Sequence, residues 1–240
     1  MNNIEKITIN EYFESIHYDW EYDLEQIKNI ALLTKTRVNE SLDSALPYGI
    51  EQTFLVKSIA KNIKAKNFFE IGSGRGTASF AVSLEPSIQN IYSFDKFPRF
   101  LKQDTAINYK PVKISLNKIK KLIPYNEKSK IKFRHILLIK IYRLILKDRI
   151  DLCFIDGNHD DYKIIMNDFL NCLKVINKKA GVILFDDYSP DLYVVKKVVD
   201  DILKKYKFKA QLIQFRGHIF KNGEKEFDSG IIMIQVSSNF

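Results

Sequence analysis

Phe69-Glu70-Ile71-Gly72-Ser73-Gly74-Arg75-Gly76-Thr77 is the stretch whose reading decides the fold. A short apolar strand, Lys66 to Ile71, runs into glycines at every second position, and Thr77 to Leu84 then carries a helical pattern. Glycines let the backbone turn tightly and approach a ligand closely. The helix that follows offers free N–H groups at its start. A dinucleotide fingerprint would place its third Gly one position later, where Thr77 stands. Glu70, two residues before the first Gly, would repel a pyrophosphate and could instead face an ammonium group. Asp95 ends the next strand, Asn90 to Asp95, 19 residues after Gly76. An acid at that place can accept both hydroxyls of a ribose.

A second constellation lies further along. The apolar strand Asp151 to Ile155 ends at Asp156-Gly157-Asn158-His159, and a helix is expected over about 162–175. The strand Gly181 to Phe185 then ends at Asp186-Asp187-Tyr188. In a parallel sheet both ends fall on the carboxyl edge, where the ligand crevice forms. Adjacent strand ends lie about 5–10 Å apart, so Asp156, Asp186 and Asp187 can converge. Three uncompensated carboxylates repel one another, and a hard divalent cation (Mg, Mn or Ca) would relieve that. The alternative is that Asp186 and Asp187 cap the following helix or face solvent.

Strands of about five residues alternate with helices of about 10–15, the pattern of a parallel sheet covered on both faces. Two closing strands are expected at 209–215 and 230–236. Residues 1–45 read as helical up to the breaker Leu46-Pro47-Tyr48-Gly49. The expected division is therefore an N-terminal helical extension or lid over 1–49 and one α/β domain over 50–240. The chain has 240 residues, 45% hydrophobic and 28% charged, which excludes collagen-like and disordered classes. Its formal net charge of +9 is concentrated: residues 96–150 hold 16 Lys or Arg and three acids, while the remainder sums to −4. Within that segment a strand is expected at 131–135 and a helix over about 136–147. That helix reads either as sheet-packing, with Lys140, Arg143 and Lys147 reaching outwards, or as a face for an anionic membrane or partner.

Cys153 and Cys172 sit in apolar contexts and read as reduced core residues. The N-terminus lacks the apolar core of a signal peptide, and no stretch is long and apolar enough to span a bilayer, so a cytoplasmic location is expected.

The Gly-rich turn, with its acid at the strand end, resembles motif I of class I S-adenosylmethionine-dependent methyltransferases. The runs FIDGNHDDY and GVILFDDY resemble the metal-dependent sugar O-methyltransferases of macrolide and aminocoumarin biosynthesis, a group sharing D-G-x-H-x-Y. The resemblance covers about residues 46–190, and Tyr162 stands one position later than that pattern. It implies a Rossmann-like fold with a seven-stranded, mostly parallel sheet and helices on both faces. It further implies cofactor contacts from Glu70, Gly72, Ser73, Gly74, Gly76, Thr77, Asp95 and Asp156. Asp156, Asp186 and Asp187 become ligands of a divalent cation, Mg first, with His159 as general base beside Asp156. The implied acceptor is a hydroxyl of a sugar, glycan or other small molecule, and related enzymes often form homo-oligomers. Two other readings compete. One is a nucleic-acid methyltransferase using 96–150 as a phosphate-tracking face. It is disfavoured by the lack of an N/D-P-P-Y-type motif. The other is a non-catalytic binding module that keeps the fold.

Overall fold

The computed structural model describes residues 4–34, 50–96, 121, 130–147, 149–190, 193–214 and 230–236. The expected breaker at 46–49 and most of the basic segment lie outside the described residues. In chain order the elements are β1 (Glu5–Thr8), α1 (Ile9–Ser15), α2 (Trp20–Thr34), α3 (Ile50–Asn62), β2 (Asn67–Ile71), α4 (Thr77–Val82), β3 (Asn90–Asp95) and β4 (Lys130–His135). After a 3-10 turn at Ile136–Leu138 come α5 (Ile139–Ile145), β5 (Leu152–Ile155), α6 (Tyr162–Val175), β6 (Gly181–Tyr188), α7 (Tyr193–Tyr206), β7 (Lys209–Gln214) and β8 (Gly230–Val236).

The strands form one sheet in the order β1-β7-β8-β6-β5-β2-β3-β4. Only β8 runs against its neighbours, β6 and β7; the other pairings are parallel. Successive side chains of the central strands point to opposite faces. Phe68, Leu152, Phe154, Val182 and Leu184 therefore enter the core shared with α1–α4. Phe69, Cys153, Ile155, Ile183 and Phe185 enter the core shared with α5–α7. With both faces covered, β5 is apolar at every position and fully buried. Both cysteines are free thiols in this second core.

The sheet has eight strands among the described residues rather than the expected seven. The additional one is β1, inside the stretch expected to be wholly helical. Four residues carry no period of their own, and their extended form depends on pairing with the free edge of β7. Thr8 then closes the strand and caps α1: its side chain accepts from the Glu11 N–H, and Glu11 reaches back to the Thr8 N–H at 2.8 Å.

The first helices are fixed to the domain by a buried charge network. Lys57 Nζ on α3 donates to Asp23 Oδ2 on α2 at 2.6 Å and to Glu85 Oε1 beyond α4 at 2.5 Å. The Tyr18 hydroxyl donates to the same Asp23 oxygen at 2.5 Å. Beneath the turn after β2, Glu70 is 1% exposed. Its Oε2 accepts from the Ser79 hydroxyl at 2.6 Å and from Ser93. Burial, against these hydrogen bonds, pushes the Glu70 carboxyl up to about 7.

Lys57→Met strands two buried carboxylates and is expected to lower unfolding stability by about 3–5 kcal/mol in urea titrations. Glu70 gives a pH signature. The folded chain holds its proton more tightly than the unfolded chain does, whose carboxyl lies at its ordinary 4.5. Its stabilising contribution is therefore full below about pH 4.5 and is lost as the pH rises through about 7. Glu70→Gln should flatten that part of the melting-temperature profile; a variant profile parallel to wild type would refute the assignment.

Candidate active site

The turn after β2 is bonded to both neighbouring strand ends. Gly72 and Ser73 N–H groups donate to the Phe94 carbonyl at 2.8 and 3.2 Å, and the Asp156 N–H donates to the Ile71 carbonyl at 2.8 Å. Gly72, Gly74 and Gly76 adopt φ of +98°, +47° and +78°, the left-handed region that side chains disfavour. A Cβ at Gly72 would lie 1.8 Å from the Asp156 carbonyl oxygen. Gly74 is the opposite case, since a Cβ there would meet nothing within 4 Å among the described residues. One glycine permits close packing of β2 on β5, and the other has open space beside it among the described residues.

The sequence-expected residues divide around this turn. Asp95 does reach it: its Oδ2 accepts the Gly74 N–H at 2.8 Å. The Ser73 side chain points inward and shares a hydrogen bond of 2.6 Å with Ser93. Gly76 precedes α4 as its N-cap, leaving the first N–H groups of that helix without a capping side chain from it. Thr77 donates to Thr34 at the end of α2, at 3.0 Å. Glu70 lies below the turn, bonded as described.

On the acid side, β5 and β6 are parallel neighbours, as their ends require. Asp156 and Asp186 come together, but through a residue that local sequence pattern does not reveal. Gln52, in the first turn of α3, donates its amide Nε2 to Asp156 Oδ2 at 3.1 Å and to Asp186 Oδ2 at 2.7 Å. The Asp187 carboxylate turns instead to His159, with Oδ2 3.2 Å from Nδ1. The other ring nitrogen of His159 lies 4.0 Å from Asp156 Oδ1. Asp187 has φ +55°, an unusual conformation for a residue with a side chain. It falls where the β6–β8 register shifts between Phe185 and Tyr188. Asp161 caps α6, its side chain accepting from the Lys163 and Ile164 N–H groups, while residues 191 and 192 ahead of α7 lie outside the described residues. Tyr162 donates to Asp201 on α7 at 2.9 Å.

Desolvation raises the Asp156 carboxyl well above its ordinary value, and the charges of Asp186, Asp187 and Glu70 raise it further against the Gln52 bond. Desolvation and Asp187 push Asp186 up to about 8. Both acids thus sit where a positive charge is in demand. Among the described residues no three His, Cys, Asp or Glu side chains are close enough together to hold an ion. The donor chemistry nevertheless fits a hard cation. Two carboxylates face one amide, whose oxygen would replace its nitrogen after a half-turn of the side chain.

A family model described as a methyltransferase domain matches residues 69–188. That span runs from β2 to the end of β6 and contains the turn, Asp95, Asp156, His159, Asp186 and Asp187. Among solved structures, the chain is similar to the O-methyltransferase from Bacillus cereus in complex with SAH. Identity there is 12% and the TM-score 0.58, covering 95% of this chain and 100% of that one. It is also similar to the O-methyltransferase TomG from Streptomyces achromogenes, involved in Tomaymycin synthesis, in complex with SAM. Identity is 17% and the TM-score 0.56, covering 92% of this chain and 96% of that one. At such identities the likeness shows the α/β Rossmann-like methyltransferase fold. No curated protein matches the sequence. With the matched span enclosing both halves of the crevice, the chain belongs to the methyltransferase domain family.

Proposed function

We propose that the protein transfers the methyl group of S-adenosylmethionine to a hydroxyl of a sugar or other small molecule, with a divalent cation, Mg first, assisting. The observation that carries this reading is the single crevice edge shared by the Gly74–Asp95 pair and the Asp156–Gln52–Asp186 set. The first pair suits a nucleoside: open backbone at Gly74 admits the ligand, and Asp95 accepts ribose hydroxyls. The second set suits a cation and a polar acceptor.

The cofactor would supply an electrophilic methyl group, and the cation would lower the pKa of the acceptor hydroxyl and orient it. Asp156 and Asp186 would hold the cation, with the Gln52 amide oxygen turned inward and Asp187 beside them. His159 is the proton acceptor. Its Nδ1 lies 3.2 Å from Asp187 Oδ2, and a hydrogen bond from Nδ1–H there would leave Nε2, on the Asp156 side, to take the proton. An imidazole suits this role because its ordinary pKa lies near neutrality. Glu70 and Ser73 act from below, holding the turn in shape through Ser79 and Ser93.

Asp156→Asn is expected to abolish cation-dependent turnover while calorimetric affinity for S-adenosylmethionine stays close to wild type. Full activity in excess EDTA would sink the metal reading. Gln52→Ala should weaken cation affinity by about 10–100-fold. Gly74→Val should lose cofactor affinity with a stability cost of only about 1–2 kcal/mol, from the positive φ alone, because its Cβ meets open space. Unchanged cofactor affinity in that variant would remove the turn from the binding site.

A further inference from the structure

The helix after β4 packs one face on the sheet and turns a second apolar face outward. Ile139 and Leu146 are 3% and 5% exposed and close over the sheet. Tyr142 packs on Tyr92 and Phe94 at ring separations of 5.6 and 5.2 Å. These contacts satisfy the inner face. On the outer face Leu137, Ile141, Leu144 and Ile145 are 75%, 54%, 78% and 58% exposed, and Leu138 is 36% exposed. At about 3.6 residues per turn, Ile141, Leu144 and Ile145 fall within an arc of about 100°, extended by the preceding 3-10 turn. Lys140 and Arg143 occupy the arc beside them, and Lys147 follows the helix; Lys140 and Lys147 are exposed. Residues 130–147 contain six Lys or Arg and no acid.

We infer that this face seats the protein on an anionic lipid surface. An exposed aliphatic stripe flanked by lysines is the arrangement of a helix lying in the headgroup boundary, where acyl chains take the Leu and Ile side chains and headgroups take the charges. Two other occupants fit less well. A second copy related by a two-fold axis would set the exposed Lys140 and Lys147 of one face against those of the other. A protein partner's interface centre favours aromatic residues, whereas all five outward side chains here are Leu or Ile. No helix of the described residues is long and apolar enough to cross a membrane, so the contact is peripheral. It also lies at the working edge of the sheet. β4 ends at His135, which pairs in register with Asp95, and the stripe begins two residues later. Lipid contact there does not depend on methyl transfer.

Flotation of the full chain tests this with vesicles of phosphatidylcholine alone and of phosphatidylcholine mixed with phosphatidylglycerol. The protein should float with the mixed vesicles and lose that binding in high salt. The Leu137→Gln, Ile141→Gln, Leu144→Gln triple variant should bind more than about tenfold more weakly. Lys140→Glu with Lys147→Glu should also weaken binding. The melting temperature and S-adenosylmethionine affinity should stay at wild-type values in both. Leu144→Gln alone, altering a side chain that is 78% exposed, should shift binding in the same direction and guards against a folding defect in the triple variant. Failure to float with either vesicle would overturn the inference. So would flotation indifferent to the apolar substitutions, or a wild-type dimer in sedimentation velocity that the triple variant abolishes.

Discussion

The contact on which the site depends is between backbone and backbone. Gly72 lies so close to the Asp156 carbonyl that any side chain would overlap it. This approach lets the end of β5 pass directly under the turn that leaves β2, and the Asp156 N–H bonds back to Ile71. The nucleoside side and the acid side of the crevice are thereby joined at one point. Any residue with a Cβ would push them apart, and Asp156 would no longer stand beside Gln52 and Asp186.

The opposing problem is charge. Burial of Asp156 beside Asp186 is unfavourable in itself, and both carboxyls are raised accordingly. The Gln52 amide offsets part of this with two hydrogen bonds. It can do so only because α3 is held in place, and Lys57, on that helix, locks α3 to α2 and to Glu85. The hydroxyl pair Thr34–Thr77 ties the end of α2 to the start of α4 in the same way. The N-terminal helices therefore belong to the architecture of the crevice.

What could be read from the sequence was whatever a short window contains. The Gly-rich turn, the strand ending at Asp95 and the apolar runs ending at Asp156 and Asp186 each carry their signal within a few residues, and the sheet followed from their alternation with helices. Gln52 could not be found this way. Its partners lie 104 and 134 positions away, and only the packing of α3 brings them together. The convergence of three aspartates was a fair inference from strand ends, but a backbone twist at Asp187 sends its carboxylate to His159, and φ at that residue leaves no periodic trace. β1 was hidden for a different reason, because four residues become a strand only when β7 offers an edge. The helix after β4 was ambiguous because both of its faces are apolar, and periodicity alone does not say which one meets the sheet.

The reversed strand has a consequence for how the chain reaches this state. β7 and β1 connect to the rest of the sheet only through β8. Residues 5–8 are made before the other strands of this sheet, yet they join it through β7, which residues 230–236 link to β6. Until β8 is made, β6 lacks the partner on that side of the sheet, and its edge is open. The first and last strands of the described chain are therefore joined to the sheet by pairings between residues far apart in sequence. This long-range closure slows folding relative to local contacts and exposes the β6 edge to association with other chains in the interval.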